Sequence, residues 1–265
     1  MSDQLKGRNV IITGAGSVTG IGAGLAYGLA ERGANIAVCD INEEGTEKVA
    51  GDIADRFGVR TIAITVDVTN RAQMQKMVKE TVSAFGQLDV MINNAGIIEH
   101  ATFLDMTEQS WHRLMDINAM GAMIGIQEAA KQMIAQGKGG KIINMSSIAS
   151  RQSYPAFAHY CASKWAVAAL SQAAARQFAE HKINVNCMGP GIVKTAMLDG
   201  LDREFVSKGL TKLPGEAIHD LSVGIPLGRY SLPSDLVGTA AFLASSDSDY
   251  MTGQNILCDG GMVML

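Results

Sequence analysis

The sequence predicts an α/β fold with a seven-stranded parallel sheet, and three observations carry the prediction. Short apolar runs alternate with longer amphipathic segments along the 265 residues, as in right-handed strand–helix–strand crossovers. The runs are continuously apolar, which is typical of strands covered by helices on both faces. No linker rich in Pro, Gly or Ser and no internal repeat divides the chain. We therefore expect residues 1–265 to form a single doubly wound domain.

The strands and helices follow from the lengths and periods of these segments. Seven apolar runs are predicted as strands, at residues 9–13, 35–40, 61–68, 88–94, 141–146, 183–188 and 255–259. Six segments with apolar residues near a 3.6-residue period are predicted as helices, at 21–32, 43–57, 70–85, 107–136, 158–180 and 233–245. Glycines and two prolines interrupt the helical pattern at about 195–230. Because ligands bind outside the carboxyl ends of parallel strands, we expect this segment to form a flap over a substrate.

Composition argues against several classes of function. The chain is 47% hydrophobic and 18% charged, which suits a compact soluble protein. Its net charge of −4 and aromatic content of 5% give no support to nucleic-acid binding. No apolar run reaches ~18 residues and no signal peptide is evident, so we expect a cytoplasmic protein without membrane contact. The four cysteines lack metal-ligand spacing, and no metal site is expected.

A glycine-rich stretch, TGAGSVTGIGAG, follows the first predicted strand and runs directly into a helix. Glycines let a backbone approach a diphosphate, and the free N–H groups at a helix start favour negative charge. The alternative is a glycine turn used only for tight packing. The strand before it and the helix after it favour a dinucleotide site in a Rossmann-like fold.

Two carboxylates extend this site. Asp40 ends the second predicted strand 20 positions after Gly20, close to the spacing at which a carboxylate accepts a hydrogen bond from an adenosine ribose. It would repel a 2′-phosphate, and residues 13–24 contain no Arg or Lys to offset that repulsion. NAD is therefore expected rather than NADP. Asp67 is open to two interpretations, a carboxylate near a helix N-cap and a contact to adenine.

The stretch YCASK places the phenol of Tyr160 and the ammonium of Lys164 four positions apart. In a helix these side chains share a face. An isolated pair of this kind is usually a half-buried tyrosine beside a solvated lysine. A general base that works near neutral pH, however, needs a pKa well below the ~10 of free tyrosine. An ammonium about 4 Å away contributes on the order of 4 kcal/mol at an effective dielectric of 20, which is enough to lower the phenol pKa by ~3 units.

Taken together, these motifs resemble the short-chain dehydrogenase/reductase family along essentially the whole chain. TGAGSVTGIG resembles the family's cofactor loop, NNAG (93–96) its fourth-strand motif, DIN (116–118) its helix asparagine, and YCASK its Y-x-x-x-K motif. NMSS places a serine thirteen residues before the tyrosine, as the family does. The resemblance implies four catalytic residues: Asn118, Ser147, Tyr160 and Lys164. The expected NAD site comprises Gly14, Ser17, Thr19, Gly20, Ile21, Asp40, Asp67, Val68, Asn94, Ala95, Gly96, Tyr160, Lys164, Pro190, Val193 and Thr195.

The resemblance also implies a role for each of these four residues, and the chain departs from the family pattern in one place. It implies that Tyr160 is the acid/base, that Ser147 places the substrate oxygen, that Lys164 holds the nicotinamide ribose, and that Asn118 anchors a water for proton relay. The departure lies in the glycine loop, where five residues (15–19) rather than the usual three separate Gly14 from the next motif glycine. Two extra residues must therefore bulge from the loop.

Within the family, GPGIVKTAM and the C-terminal stretch most resemble microbial diol and polyol dehydrogenases of the acetoin reductase and sorbitol types. The resemblance implies NAD-linked interconversion of a secondary alcohol of a polyol or vicinal diol and the ketone. Ser147, Tyr160 and Met197 are the expected substrate contacts. Such relatives commonly carry proline and tryptophan around that methionine, where this chain has Ala196 and Leu198. The smaller residues predict a roomier pocket, in which a sugar alcohol would fit better than a four-carbon diol.

Two alternatives remain at this stage, a 3-oxoacyl-thioester reductase and a non-catalytic NAD-binding sensor. A sensor would tend to lack the phenol or the ammonium, and both are present here. The family is commonly tetrameric, so the resemblance implies a homotetramer.

Overall fold

A single parallel sheet forms the centre of the molecule. The computed structural model describes residues 4–264, so residues 1–3 and 265 of the expected domain lie outside it. The sheet has seven strands in the order β3-β2-β1-β4-β5-β6-β7, and every neighbouring pair is parallel. The strands are β1 (Asn9–Thr13), β2 (Asn35–Asp40), β3 (Thr61–Thr65), β4 (Val90–Asn93), β5 (Gly140–Met145), β6 (Ile183–Pro190) and β7 (Asn255–Cys258). The predicted fold class is confirmed, with a shorter third strand than the sequence suggested.

Helices cover both faces of this sheet. They are α1 (Ile21–Ala30), α2 (Glu43–Phe57), α3 (Arg71–Phe85), α4 (Glu108–Leu114), α5 (Gly121–Gln136), α6 (Ala158–Phe178), α7 (Ala196–Ser207), α8 (Glu216–Val223) and α9 (Val237–Ala244). One apolar core joins α1, α2 and α9 to the sheet, and the other joins α3, α5 and α6. Within the described residues, no helix combines the length and the apolar character needed to cross a membrane.

The long helix predicted at 107–136 is divided by a π-helical segment. Met115–Met120 forms wider turns between α4 and α5. Such π segments are rare and are frequent at functional sites. The side chain of Asn118 lies in this segment and bonds to the backbone of the loop that follows β4. A long-range contact therefore accompanies the irregularity, and helix periodicity gave no sign of it.

The segment predicted as a flap contains two short helices, α7 and α8. Its ends are tied together, because Lys194 N–H donates to the Ser231 carbonyl and Ser231 N–H donates to the Ile192 carbonyl, both at 2.9 Å. At the far end of α7 the Phe205 ring packs edge-on against His100, with 4.9 Å between ring centroids. The segment is thus closed at its base, and α7 anchors it to the loop that follows β4.

Close packing of α5 on the sheet depends on a glycine. A Cβ on Gly125 would lie 1.9 Å from Asn93 Oδ1, and that buried amide already donates to Asn144 Oδ1 at 2.7 Å. Asn93 therefore cannot move away without losing a buried hydrogen bond. In contrast, the exposed Gly51 in α2 has no atom within 4 Å of its would-be Cβ.

We predict opposite effects of alanine at these two glycines. Gly125→Ala should lower the free energy of unfolding by about 1–3 kcal/mol, because it overpacks the contact with β4. Gly51→Ala should raise the free energy of unfolding by roughly 0.5–1 kcal/mol, because it removes only the entropic penalty of a helical glycine. Urea denaturation followed by circular dichroism measures both changes. A stabilised Gly125→Ala variant would show that the contact is not tight in solution.

Candidate active site

The carboxyl ends of β1 to β6 open into one cavity of ≈ 620 Å³. This is the edge at which parallel α/β sheets bind ligands. Of the residues predicted from the sequence, all but two line this cavity: Gly14, Ser17, Gly20, Ile21, Asp40, Asp67, Val68, Asn94, Ala95, Gly96, Ser147, Tyr160, Lys164, Pro190, Val193, Thr195 and Met197. The exceptions are Thr19, in the turn before α1, and Asn118, which lies behind the cavity wall.

The glycine loop is held against the end of β4. Gly14 has a φ of +68°, and a Cβ at this position would lie 2.7 Å from the Ala95 Cα. The Asn94 side-chain amide donates to the Thr13 carbonyl at 2.9 Å and to the Gly14 carbonyl at 3.0 Å. Asn94 therefore fixes the course of the loop as well as lining the cavity.

Helix α1 begins at this loop with an open N-terminus. Its N-cap is Gly20, which has no side chain to cap the first turn, and no acidic residue lies in that turn. The first N–H groups of the helix thus remain available to an anion. A Cβ on Gly22 would lie 2.3 Å from the Gly14 carbonyl oxygen, so glycine at both positions lets the helix start pack on the loop. This cradle fits the diphosphate of a dinucleotide.

The two extra residues of the loop are accommodated against the start of α2. Gly16 N–H donates to Asp40 Oδ2 at 2.9 Å, and a Cβ on Gly45 would lie 2.0 Å from the Gly16 carbonyl oxygen. Val18, at the outer part of the bulge, is 46% exposed. The turn closes where Gly20 N–H donates to the Ser17 carbonyl at 2.8 Å, so Ser17 lies at the cavity and the outer loop residues lie beyond it.

At the far end of the cavity the carboxylate of Asp40 is fixed by backbone donors. Its second oxygen accepts a hydrogen bond from Asn42 N–H at 3.1 Å. The adjacent Ile41 is 73% exposed and also lines the cavity. Within the described residues, Lys164 is the only Lys or Arg in the lining. This end therefore offers hydrogen-bond acceptors and no positive charge.

Asp67 lies two residues beyond the end of β3. Its Oδ1 accepts hydrogen bonds from Thr69 N–H at 2.9 Å and from the Thr69 hydroxyl at 2.8 Å. The N-cap of α3 is Asn70 and not Asp67. The carboxylate thus stabilises the turn before α3 and lines the cavity at the same time, so both sequence interpretations remain open.

Asn118 holds the chain after β4 in place. Its Oδ1 accepts from Ile97 N–H at 2.8 Å, and its Nδ2 donates to the Ile97 carbonyl at 2.9 Å and to Ser163 Oγ at 3.0 Å. A Cβ on Gly96 would lie 3.1 Å from Asn118 Oδ1 and 3.5 Å from Lys164 Nζ. The Asn118 amide therefore connects the loop that follows β4 to Ser163 of α6, which directly precedes Lys164.

The phenol of Tyr160 and the ammonium of Lys164 lie side by side in the wall of the cavity. Lys164 Nζ lies 5.6 Å from the centroid of the Tyr160 ring and donates to the Met145 carbonyl at 3.0 Å. Burial lowers the pKa of Lys164 to about 8. Burial also raises the pKa of Tyr160 to about 12, against the opposing effect of a hydrogen bond with Ser147.

This result corrects the sequence argument on one point. The lysine was expected to bring the phenol pKa close to neutrality by itself. The same burial that strengthens the attraction between the ammonium and a phenolate also disfavours the phenolate itself. Without further positive charge, burial dominates and the phenol stays protonated.

The flap and the segment before α6 complete the other end of the cavity. Met197 lies there, 48% exposed. Sequence reasoning missed most of its neighbours: Ile98, Ile148, Tyr154, Phe157, Leu201, Leu221 and Met262. Tyr154 and Phe157 lie shortly before α6 in sequence and could have been suspected. Leu221 and Met262 reach the cavity only through the course of α8 and of the chain end, which no local pattern encodes.

Comparison with known proteins places the whole chain among oxidoreductases. The family model described as Enoyl-(Acyl carrier protein) reductase matches residues 14–263. Diacetyl reductase [(S)-acetoin forming] of Staphylococcus epidermidis is 42% identical over 256 residues, covering 97% of this chain and 98% of the relative. Sorbitol dehydrogenase of Cereibacter sphaeroides is 38% identical over 259 residues, with the same coverage. A short-chain type dehydrogenase/reductase structure from Mycobacterium marinum superposes with a TM-score of 0.85 at 34% identity, covering 99% of this chain and 98% of the other.

The buried lysine leads to a prediction about stability and pH. The pKa of Lys164 is about 8 in the folded chain, below its ordinary value of 10.5, so the unfolded state binds more protons between these values. The stability contributed by this residue therefore rises as the pH rises from 8 to 10, by about 2 kcal/mol. The measurement is the difference in unfolding free energy between the wild type and Lys164→Met at several pH values. A difference in unfolding free energy that is constant from pH 7 to pH 10 would contradict the lowered pKa of Lys164 in the folded chain.

Proposed function

Since the chain belongs to the short-chain dehydrogenase/reductase family, we propose that it interconverts a secondary alcohol of a polyol or vicinal diol and the ketone, with NAD as hydride carrier. The chain is an oxidoreductase, and the family uses nicotinamide cofactors. The observation that carries the proposal is one cavity with Ser147, Tyr160 and Lys164 in its wall and the glycine loop and Asp40 at its far end.

The residues present fit a nicotinamide dinucleotide. The open start of α1 and the glycines packed there suit the diphosphate. Asp40 suits the adenosine ribose, and Val193 and Thr195, in the segment that follows β6, suit the nicotinamide end. When bound, the oxidised cofactor supplies a hydride acceptor and one further positive charge.

The proton chemistry is assigned to Tyr160 Oη, with Ser147 and Lys164 supporting it. In the oxidation direction Tyr160 must first be ionised, which the positive charge of the oxidised cofactor would favour, and Oη then takes the proton of the substrate hydroxyl while Ser147 Oγ holds the same oxygen. A phenolate formed there would be stabilised by the buried ammonium of Lys164, whose Nζ lies 5.6 Å from the centroid of the phenol ring. The position of Asn118 behind this pair supports a role in orienting the β4 loop, alongside the proposed water relay.

The choice of NAD follows from charge at the ribose end. A 2′-phosphate would lie against the Asp40 carboxylate and the apolar Ile41, with no Lys or Arg in that part of the described lining. A ribose 2′-hydroxyl can instead donate to a carboxylate oxygen that still has a free lone pair. The balance of repulsion and hydrogen bonding favours NAD.

The same lack of positive charge weighs against a reductase of acyl thioesters on an acidic carrier. Such an enzyme needs cations at the mouth of its cavity. The two lysines that flank α7, Lys194 and Lys208, are paired with Asp199 and Glu204, which leaves the exposed Arg203 as the one Lys or Arg within α7 itself. The polyol or diol assignment therefore remains the better supported one.

We retain the flap at 195–230, a homotetramer and a cytoplasmic location as parts of this proposal. Exposed Trp165 on α6 supports a subunit contact at that helix.

Removal of the Tyr160 hydroxyl tests the mechanism. Tyr160→Phe should still bind NADH, because the cavity keeps its shape, but kcat should fall at least a thousandfold once the acid/base is lost. NADH fluorescence measures binding and absorbance at 340 nm measures turnover. The control is Tyr250→Phe, a fully exposed tyrosine outside this cavity. Full turnover by Tyr160→Phe would refute the assignment.

Cofactor choice is tested by placing a cation at the ribose end. The wild type should show a kcat/KM for NAD at least 100-fold above that for NADP. Ile41→Arg should raise kcat/KM for NADP about tenfold, the effect of one charge-assisted hydrogen bond to the phosphate. Leu104→Arg adds the same charge at an exposed site outside the cavity and should not. Equal use of both cofactors by the wild type would contradict the role given to Asp40.

A further inference from the structure

The substrate end of the cavity is almost entirely apolar. The segment 148–157 together with α7 and α8 contributes nine lining side chains: Ile148, Ala149, Tyr154, Phe157, Ala196, Met197, Leu198, Leu201 and Leu221. Within the described chain, the hydroxyl of Tyr154 is the one polar side-chain group in this set. A substrate oxygen that enters this region therefore finds one side-chain hydrogen-bond partner among these nine residues.

The Tyr154 hydroxyl is free to be that partner. The backbone of this residue is anchored, because its N–H donates to Cys161 Sγ at 3.4 Å. Its hydroxyl makes no hydrogen bond to any other residue between 4 and 264. Burial raises the pKa of the phenol above its ordinary value, so the group stays protonated and can donate. It lies six residues before Tyr160, which acts on the reacting oxygen.

From this arrangement we infer that the enzyme selects a short vicinal diol or α-hydroxyketone, and that Tyr154 is the residue that determines this specificity. The reacting oxygen binds Ser147 and Tyr160, the neighbouring oxygen accepts a hydrogen bond from Tyr154, and the rest of the molecule is apolar and packs on the flap. This inference rests on the proposed function and narrows it.

Polarity rather than volume then decides between a diol and a sugar alcohol. A hexitol carries four more hydroxyl groups than a diol, and in this region they would lie against apolar side chains that offer them no hydrogen bond. The small residues at 196 and 198 enlarge the space without adding a polar group. The expectation that a roomier pocket favours a sugar alcohol is therefore replaced by selection for a molecule with two adjacent oxygens.

The experiment compares three alcohols with NAD: butane-2,3-diol, butan-2-ol and sorbitol. For the wild type we expect kcat/KM for the diol to exceed that for either other alcohol at least tenfold. Tyr154→Phe should lower kcat/KM for the diol about tenfold, mainly through KM, because one hydrogen bond in the bound state is lost. The ratio of diol to butan-2-ol should approach one. Tyr250→Phe serves as the matched control and should keep the wild-type ratio.

The outcomes separate the inference from the function on which it rests. An unchanged diol to butan-2-ol ratio in Tyr154→Phe, or sorbitol turnover equal to that of the diol, would overturn the inference and leave the dehydrogenase assignment standing. Failure of the wild type to oxidise any of the three alcohols with NAD or NADP would overturn the proposed function itself. Circular dichroism confirms folding, which the loss of an unbonded hydroxyl should not disturb.

Discussion

The architecture of the site depends on the junction between the ends of β1 and β4, where the order of the sheet reverses. Thr13 Oγ1 accepts hydrogen bonds from the N–H groups of Asn94 and Ala95 at 3.1 and 3.2 Å, and the Asn94 side chain donates back to the glycine loop. Chains that leave two adjacent strands toward opposite faces open a crevice between them. Here the same hydrogen bonds also fix the loop that would hold a diphosphate. The contacts that stabilise this part of the fold are therefore the contacts that shape the proposed cofactor site.

Burial has opposite effects on the two ionisable groups at the centre of the cavity. It stabilises the neutral form of both Tyr160 and Lys164, raising one pKa and lowering the other. A phenol that stays protonated and an ammonium that titrates near pH 8 do not make a strong base by themselves. The site is instead sensitive to any charge that enters it, because water no longer screens that charge. Under the proposed function, proton transfer would therefore be coupled to the binding of the positively charged oxidised cofactor.

Sequence patterns predicted those parts of the structure that depend on local periodicity. The strands and most helices lie close to their predicted positions because continuous apolar runs and 3.6-residue periods arise from burial in the sheet layers. Motif spacing likewise located the predicted residues that now share one cavity. The π-helical turn at Asn118 and the arrival of Leu221 and Met262 depend on contacts between distant segments, and no local pattern encodes them. The pKa of Tyr160 was misjudged for the same reason, since burial is a property of the whole fold.

The enlarged glycine loop shows how a departure from a motif can be absorbed without loss of the site. Its extra length reaches α2, where Gly16 meets the Asp40 carboxylate and the backbone packs on Gly45. The carboxylate is thereby held by Gly16 as well as by Asn42, which limits its motion before any ligand binds. Preorganisation of this kind lowers the entropic cost of binding a ribose. The insertion therefore links the glycine loop directly to Asp40, the carboxylate that we propose distinguishes NAD from NADP.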